Sequence, residues 1–292
     1  MRAGELDAFE HVFAILSDIF NTATVAPYVA PPTTPDGRPC PPVPVRARAA
    51  PRLPPAPRLG GMASSIGDSG PYSGDVSPGG PPDTRELAGL VVTKLAVDEK
   101  MSNNCYLLRC RATDEQLLVD AAAEPQRLLE LIGATGVSRV VTTHQHWDHH
   151  RALADVVAAT GAVTVAGEDD ADAITEQTGV TVDDRVRHGD TIEVGEARLE
   201  VIHLVGHTPG SIALLYDDPQ GTPHLWTGDS LFPGGVGNTF GDAEAFRTLV
   251  EEVSGKVFDR LPDETWFYPG HGSDGTLGDE RPHLDEWRER GW

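Results

Sequence analysis

Residues 140–156 read VVTTHQHWDHHRALADV, and within this stretch four histidines and one aspartate occupy five of seven consecutive positions. The cluster begins where an apolar, β-branched run ends, which predicts a strand followed by a helix. His144 and His146 are two residues apart, so their side chains point the same way on an extended strand end. Asp148 and His149 follow at the start of the predicted helix. The stretch can therefore supply two ligands to one metal ion and two to a neighbouring ion.

Three further ligand-type residues also follow apolar strands. The segment HLVGHTPGS places His207 in a turn, LWTGDSLF places Asp229 at a second strand end, and WFYPGHGS places His271 at a third. Residues in loops at strand ends are held by a rigid sheet, and functional sites are commonly assembled there. The repeated pattern predicts that the four segments build one site.

The chain of 292 residues divides by composition into two parts. Half of the 24 prolines lie in residues 27–57, and residues 60–84 are rich in Gly, Ser and Pro. Such segments favour extended or flexible conformations and cannot bury a core. We therefore predict a disordered Pro/Gly/Ser-rich arm over residues 1–84, with a short helix at 5–20, and one folded domain over residues 85–292.

Met62 follows the proline-rich tract, and two interpretations of the preceding residues stay open. Either translation starts at Met62, or residues 1–61 form a docking tail for a proline-binding module.

From residue 85 onward, strand-like segments alternate with helix-like ones. Strands are expected over residues 87–97, 103–110, 115–122, 137–144, 161–167, 211–218, 222–229 and 264–270, with a hairpin over 190–205. Helices are expected over residues 124–133, 148–160, 242–254 and 281–292. This mixture of hairpins and interspersed helices predicts a layered α/β sandwich.

Charge and cysteine content exclude several classes of partner. The chain has 23 Lys and Arg against 45 Asp and Glu, a formal net charge of -22, which repels nucleic acid and anionic membrane surfaces. Three cysteines do not make a disulfide framework, which favours a reducing cytoplasm. No segment approaches the roughly 20 apolar residues needed to span a bilayer, and the N-terminus lacks the pattern of a secretory signal. We expect a cytoplasmic protein with neither a nucleic acid nor a membrane partner.

The motifs THQHWDH, GHTPGS, TGDSLF and YPGHG, in this order, resemble the metallo-β-lactamase superfamily. Within it, they are most similar to the glyoxalase II-like (hydroxyacylglutathione hydrolase) branch, and the resemblance covers residues 90–292. It implies a four-layer αββα sandwich with two metal ions at one edge. The resemblance further implies that His144, His146 and His207 hold the first ion, that Asp148, His149 and His271 hold the second, and that Asp229 bridges the two.

Such a site is suited to hydrolysis. Two divalent ions can share a water molecule and lower its pKa toward neutrality, and the resulting hydroxide attacks a carbonyl carbon. Thiolate is a good leaving group, so the expected reaction is cleavage of a thioester of a small thiol, with Asp148 as the catalytic residue that orients the hydroxide and passes on its proton. His and Asp ligands suit Zn²⁺, with Fe or Mn as alternatives.

Two positions distinguish this chain from other branches of the superfamily that it resembles. Classical β-lactam hydrolases of the superfamily usually carry Arg or Cys at the position of His149, so His149 favours the binuclear hydrolases. Oxygen-reducing diiron relatives carry Glu at the position of Gln145, so Gln145 argues against that branch.

Glyoxalase II enzymes usually have a C-terminal extension with basic residues for glutathione, whereas this chain ends soon after His271. A low-molecular-weight thiol other than glutathione therefore stays an alternative.

Three rival functions also stay open. A persulfide dioxygenase would use a single non-haem iron, held by resemblance on His144, His207 and Asp229. A lactonase would use the same two metals on a different ester. A non-catalytic binding scaffold would be expected to have lost ligands, and all seven are present. The oligomeric state is left open.

None of the remaining histidines is expected to bind a metal ion directly, and the loop over residues 230–239 is expected to lie next to the metals. His150 is expected to support the cluster or face solvent, and His203 to be a residue of a sheet. The glycine-rich loop is expected to cover the metals tightly, with backbone amides facing the substrate as an alternative, and Trp147 to pack behind the ligand turn. The positions without a ligand context are His11, His188, His224 and His283.

Overall fold

The structure is a computed structural model that describes residues 72–291. The predicted helix at residues 5–20, Met62 and most of the predicted arm lie outside the described residues. The division of the chain into an arm and a domain therefore stays a prediction. Secondary-structure elements are numbered below within the described residues.

Seven strands form the first sheet: β1 (Asp83–Glu86), β2 (Leu90–Val97), β3 (Asn103–Cys110), β4 (Gln116–Val119), β5 (Arg139–Thr142), β6 (Val163–Gly167) and β7 (Asp184–Val186). They lie in sequence order across the sheet. Neighbouring strands are antiparallel from β1 to β4 and parallel from β4 to β7.

Six strands form the second sheet: β8 (Thr191–Val194), β9 (Ala197–His203), β10 (Ile212–Tyr216), β11 (His224–Gly228), β14 (Trp266–Pro269) and β15 (Gly275–Thr276). Their order is β15-β14-β11-β10-β9-β8, and all neighbours are antiparallel except β11 and β14. A separate two-stranded ribbon follows β11 and consists of β12 (Leu231–Phe232) and β13 (Gly235–Val236).

Six α-helices accompany the sheets within the described residues: α1 (Pro125–Ile132), α2 (Leu153–Thr160), α3 (Glu168–Thr178), α4 (Ala243–Val253), α5 (Leu277–Glu280) and α6 (Leu284–Arg290). Helix α1 begins with a proline at its first position and is followed by Gly133 as its C-cap, as the sequence pattern predicts. The Asp242 side chain caps α4 by accepting hydrogen bonds from the backbone N–H groups of Glu244 and Ala245.

Alternating side chains of the strands create three apolar layers. In β3, Tyr106 and Leu108 face the second sheet, whereas Cys105 and Leu107 pack in the cluster that includes Leu128 of α1. Strand β10 likewise alternates between the core that separates the sheets and the core under α4. Helices therefore cover the outer face of each sheet, and the predicted four-layer αββα sandwich is confirmed.

The turn that opens the ligand cluster differs from the helix predicted over residues 148–160. Trp147–His149 form a single 3-10 turn, and α2 begins only at Leu153. His150 leaves helical geometry, with φ -144° and ψ 17°. This tight turn places the adjacent side chains of Asp148 and His149 in buried positions, and Trp147 stays exposed.

Residues 72–84, which the sequence analysis assigned to the arm, contact the folded domain. Tyr72 packs against the core between the sheets, and Asp83 begins β1. The Asp83 carboxylate accepts hydrogen bonds from the backbone N–H groups of Ser73 and Gly74 at 2.9 and 3.0 Å. The Tyr72 ring and the Asp83 carboxylate hold this segment against the domain. A prediction from the overall Gly, Ser and Pro content does not detect such individual contacts.

Helix α3 was not predicted. Three acidic residues occupy its first turn, where their negative charges interact favourably with the positive end of the helix dipole. Few of its residues are apolar, so the sequence shows no clear apolar stripe. Within residues 72–291, no helix combines the length and apolar character that a bilayer span requires.

Candidate metal centre

The seven predicted ligands lie together at one edge of the sandwich, in turns that follow strands of both sheets. His144 and His146 follow β5, and His207 follows β9 across the core. Asp229 follows β11, and His271 follows β14. Ligand-type atoms of these turns form three overlapping groups, and all atoms of each group lie within 4.8 Å of one another. The first group is His144, His146 and His207, the second group is Asp148, His149 and His271, and a third set, His144, His149 and Asp229, joins the first two.

The first group consists of three imidazoles. Nε2 of His207 lies 2.9 Å from Nδ1 of His146 and 3.2 Å from Nε2 of His144. His144 and His207 are buried, and His146 is partly exposed. The group therefore presents three nitrogen atoms to one small volume at the edge of the site.

The second group contains two imidazoles and a carboxylate. Nε2 of His271 lies 3.2 Å from Nε2 of His149 and 3.3 Å from Oδ2 of Asp148. Nε2 of His149 is 3.5 Å from the same Asp148 oxygen. Asp148 and His149 belong to the first sheet's ligand turn, and His271 comes from the second sheet.

Asp229 lies between the two groups. Its Oδ1 is 3.4 Å from Nε2 of His149, and its Oδ2 is 3.8 Å from Nε2 of His207 and 3.5 Å from Nε2 of His271. Oδ1 is buried and makes no hydrogen bond to any residue of the range 72–291. A buried carboxylate oxygen without a hydrogen bond is costly, so this atom requires a further partner.

Backbone and side-chain acceptors fix the outer nitrogens of the ligand rings. Nδ1 of His207 is 2.7 Å from the Asn238 carbonyl oxygen, and Nδ1 of His271 is 2.8 Å from the Met101 carbonyl oxygen. Nδ1 of His149 is 2.8 Å from Oδ2 of Asp120. Each of these three rings donates from Nδ1, so each presents the lone pair of Nε2 to the site.

This donor set fits divalent cations. The Nε2 lone pairs of His149 and His271 face each other at 3.2 Å, with both Nδ1 atoms already donating elsewhere. Two facing lone pairs repel each other unless a cation or a proton lies between them. The unpartnered oxygen of Asp229 adds a negative charge beside them. Imidazole nitrogens and carboxylate oxygens are ligands that Zn²⁺, Fe and Mn accept.

The electrostatics of the site agree with neutral imidazoles in the first group. Burial, reinforced by the neighbouring imidazoles, holds the pKa of His144 well below its usual value and lowers the pKa of His146 to about 4. Burial raises the pKa of Asp229, but His271 and His149 more than offset this, and the net pKa is lowered.

In the second group, nearby carboxylates dominate. Burial lowers the pKa of His149, but Asp229, Asp120 and Asp148 more than offset it and raise the pKa well above its usual value. The pKa of His271 is also raised, because Asp229 and Asp148 outweigh the effect of burial. The negative charges that favour a proton on these rings would equally favour a bound cation.

Comparison with known proteins identifies the family. The sequence model of the Metallo-beta-lactamase superfamily matches residues 99–272, which include all seven candidate ligands. The chain belongs to this superfamily.

Three similar proteins place the chain within the superfamily. A hydroxyacylglutathione hydrolase of Polaromonas sp. is 34% identical over 187 residues, which are 62% of this chain and 66% of that protein. The crystal structure of ETHE1 from Myxococcus xanthus is 29% identical, with a TM-score of 0.58 over 68% of this chain and 84% of that one. A protein solved in a di-iron-bound form is 28% identical, with a TM-score of 0.52 over 64% of this chain and 96% of that one. The chain spans slightly less than two thirds of the length of the Polaromonas relative.

Three supporting residues of this superfamily member were missed in the sequence analysis. Asp120 follows β4 in the segment LLVD, so the strand-end pattern used for the ligands could have indicated it. Asn103 donates from Nδ2 to Oδ2 of Asp148 at 3.0 Å. Asp170 accepts hydrogen bonds from the backbone N–H groups of Gln145 and Gly210 at 2.9 and 2.8 Å, and it thereby joins two ligand turns. No local motif marks Asn103 or Asp170.

The remaining histidines of the described residues lie outside the three ligand groups. His150 is buried, and its Nε2 lies 3.1 Å from the Gln145 carbonyl oxygen. His203 is the last residue of β9, as predicted, and His224 stacks on Tyr268. His188 and His283 are exposed, and His11 lies outside the described residues.

Trp147 does not pack behind the ligand turn. Its side chain is 38% exposed, and the Arg151 guanidinium lies 4.7 Å above its ring. The ring faces solvent because the 3-10 turn directs its neighbours, Asp148 and His149, inward.

The loop over residues 230–239 passes directly over the ligands. A Cβ atom at Gly237 would lie 1.8 Å from the Asp229 carbonyl oxygen and 3.1 Å from Nδ1 of His207. Beyond this glycine, the Phe240 ring lies 5.5 Å from that of His146 and is 54% exposed. Across the site, the Phe232 ring lies 6.5 Å from that of His271. An aromatic ring therefore lies beside one imidazole of each ligand group.

Proposed function

We propose that this member of the superfamily is a metal-dependent hydrolase that cleaves a thioester of a small thiol. The observation that carries this proposal is the position of Asp229: its Oδ1, which accepts no hydrogen bond from the described residues, lies 3.4 Å from Nε2 of His149, and its Oδ2 lies 3.8 Å from Nε2 of His207. The similarity to hydroxyacylglutathione hydrolase supports a thioester as the substrate class. The acidic composition and the small number of cysteines support a cytoplasmic protein with a small-molecule substrate rather than a nucleic acid or membrane partner.

The seven side chains would hold two divalent ions, Zn²⁺ in the first instance, with Fe or Mn as alternatives. His144, His146 and His207 would hold one ion, Asp148, His149 and His271 the other, and Asp229 would contact both. When bound, two such ions lower the pKa of a shared water and stabilise the negative charge that develops on a carbonyl oxygen.

Asp148 is the residue we propose to handle the proton. One of its oxygens accepts a hydrogen bond from Asn103 and lies within 3.5 Å of two imidazoles, so the carboxylate has a fixed orientation at the site. From this position Asp148 would orient the attacking water and carry its proton to the departing thiolate sulfur. Water is consumed, the carbon–sulfur bond breaks, and the products are a carboxylic acid and a thiol.

Side chains around the cluster would bind the rest of the substrate. Phe240 offers apolar ring surface beside His146, and Phe232 offers it beside His271. Exclusion of water by these rings would strengthen the electrostatic interactions at the reacting carbon. Glutathione and other low-molecular-weight thiols both remain candidates for the leaving group.

Metal analysis combined with a substrate panel tests the proposal. Protein purified without added metal is analysed for metal content and then assayed with thioesters of several thiols, with lactones and with a β-lactam. The proposal predicts two metal ions per chain and turnover that is highest for a thioester. A chain with two ions that turns over lactones but no thioester would contradict the proposed substrate class.

A persulfide dioxygenase is the second candidate function. The arrangement of His144, His207 and Asp229, which could hold a single iron, supports it. Nε2 of His207 is 3.2 Å from Nε2 of His144 and 3.8 Å from Oδ2 of Asp229. Two imidazoles and one carboxylate are the ligand set of many mononuclear non-haem iron oxygenases. One iron per chain, with oxygen consumption and sulfite release from a persulfide, would support this candidate over the hydrolase.

A further inference from the structure

Lys94 is a fully buried lysine that does not belong to the ligand cluster. It lies on β2, and its Nζ donates to the carbonyl oxygens of Gly74 and Gly272 at 2.8 Å each and to Oδ1 of Asp274 at 2.7 Å. An ammonium group has three hydrogens, so these acceptors satisfy all of them. Burial of a charge is unfavourable unless it is paired and hydrogen-bonded in this way.

Two of the three acceptors lie on the loop that carries His271. A second residue of the first sheet holds the same loop: the Asn104 side chain donates to the carbonyl oxygens of Pro269 and Gly272 at 3.0 and 2.9 Å. The backbone N–H of Asn104 also donates to the carbonyl oxygen of Gly270 at 2.7 Å. Strands β2 and β3 of the first sheet therefore clamp a loop that belongs to the second sheet.

The segment that precedes β1 completes this clamp. The Tyr72 hydroxyl donates to Oδ2 of Asp274 at 2.6 Å, and Nε1 of Trp266 lies 3.1 Å from the same oxygen. Gly74 has φ +74°, and a Cβ atom there would lie 2.5 Å from this oxygen, so the approach of the segment requires glycine. Asp274 thus connects three separate parts of the chain.

The position of the clamp affects one ligand group more than the other. In the second group, Asp148 and His149 are fixed to the first sheet, whereas His271 is fixed to the clamped loop of the second sheet. His271 immediately precedes Gly272, which accepts hydrogen bonds from both Lys94 and Asn104, so a shift of this loop would move Nε2 of His271 relative to Asp148 and His149. The cross-sheet ligand of the first group, His207, lies on a different turn, which Asp170 holds through Thr208 at 2.6 Å.

We propose that Lys94, Asp274 and Tyr72 act as positioning residues for His271 and thereby set the affinity of the second metal site without touching the metal. This inference rests on the proposed function, because it requires two ions. The three imidazoles proposed for the first ion, His144, His146 and His207, lie on turns outside the clamped loop, so we expect the clamp to act mainly on the second ion. Loss of the clamp therefore separates the two affinities.

The test is a titration of metal-free protein with Co²⁺, in which the number of bound ions, both affinities and the visible absorption spectrum are measured. The variants are Lys94→Met, Asp274→Asn and Tyr72→Phe, and His271→Ala provides the reference for loss of the second ion. We expect the affinity for the second ion to fall about 10- to 100-fold in Lys94→Met and Asp274→Asn, the range typical of residues that support metal ligands. Tyr72→Phe should show a smaller fall, and the affinity for the first ion should stay at the wild-type value.

Gln116→Leu is the matched control. Gln116 is also buried, and its Nε2 donates to the carbonyl oxygens of Ile132 and Gly136 at 3.0 and 2.8 Å. It begins β4 opposite Arg109, at the end of the sheet away from the ligands. The control should lower the melting temperature and leave both metal affinities unchanged.

The possible outcomes distinguish this inference from the proposed function. Wild-type protein that binds two ions, together with clamp variants that bind both at wild-type affinity or lose both equally, would overturn the inference alone. Wild-type protein that takes up fewer than two ions would overturn the two-metal function and the inference with it. If Lys94→Met does not fold, Asp274→Asn and Tyr72→Phe decide the matter, because they preserve side-chain volume.

Discussion

Asp229 is the candidate carboxylate that lies near imidazoles of both ligand groups. Oδ1 faces His149, and Oδ2 faces His207 and His271. Among the seven candidate ligands, the other carboxylate, Asp148, contacts only the second group. Asp229 is therefore the side chain on which a paired site depends most strongly.

Replacement of Asp229 by Ala should abolish both metal retention and activity. The variant removes the shared carboxylate and leaves the facing imidazoles without its negative charge. Metal content after gel filtration and turnover of a thioester measure the two effects. His283→Ala is the control, because His283 is exposed and contacts Glu286 at 3.3 Å, away from the cluster. Metal retention in Asp229→Ala equal to that of the control would refute the bridging role.

Asp120 accepts a hydrogen bond from the ring nitrogen of His149 that faces away from the site. Its Oδ2 accepts a hydrogen bond from Nδ1 of His149 and another from the Thr143 hydroxyl, both at 2.8 Å. Replacement of Asp120 by Asn should weaken metal binding by about 10- to 100-fold, because the ring loses a charged acceptor that fixes its tautomer. Equilibrium dialysis measures the affinity, with Asp114→Asn on the exposed surface as control. Equal affinities in the two variants would show that the Asp120 charge is dispensable.

At the scale of elements, hydrogen bonds connect the turns that carry the candidate ligands to each other as well as to their strands. Asp170, in the first turn of α3, joins the turn of His144 to the turn of His207 through Gln145 and Gly210. These turns approach closely, because a Cβ atom at Gly210 would lie 2.3 Å from the backbone nitrogen of Asp170. Helix α3 thereby contributes to the site without contributing a ligand.

Replacement of Gly210 by Ala should destabilise the protein by about 1–3 kcal/mol and reduce metal uptake, because the added methyl group clashes with the backbone of α3. Urea denaturation of the metal-free protein and metal content measure the two effects. Gly255→Ala is the matched control, since a Cβ atom at Gly255 meets no atom within 4 Å. A Gly210→Ala variant as stable as this control would show that the turns separate without cost.

The candidate ligands that the structure brings together could be picked out from sequence, because each one follows an apolar strand within a local motif. His271 illustrates this, since the segment WFYPGHGS indicates both the strand and the ligand. The supporting residues could not be predicted in this way. Asn103 is 45 residues from Asp148, and Lys94 is 180 residues from Asp274, so only the folded sheets bring these pairs together. Helix α3 was missed because its burial depends on tertiary contacts rather than on a strong apolar stripe.

At the scale of the whole molecule, the candidate centre joins the two sheets of the sandwich. Each ligand group takes residues from the turn after β5 and one residue from the second sheet. Two bound ions would therefore crosslink the halves of the domain. In each group, Nε2 atoms from the two halves lie 3.2 Å apart, between His144 and His207 and between His149 and His271.

Removal of metal should lower the melting temperature of the whole domain. A ligand that binds only the folded state at 1,000 times its dissociation constant stabilises it by about 4 kcal/mol. Calorimetry of protein treated with a chelator, before and after addition of Zn²⁺, measures this effect. Mg²⁺ is the control, because it prefers oxygen ligands in an octahedral arrangement. A melting temperature that does not respond to Zn²⁺ would contradict a crosslinking role.

The measurement that tests the central claim most directly is X-ray diffraction at the absorption edge of zinc, from crystals grown with Zn²⁺. The account predicts two anomalous peaks about 3.5–4 Å apart. One peak should contact the first group, the other the second group, and Asp229 should contact both. A single peak on one group, or peaks away from these seven side chains, would contradict the account.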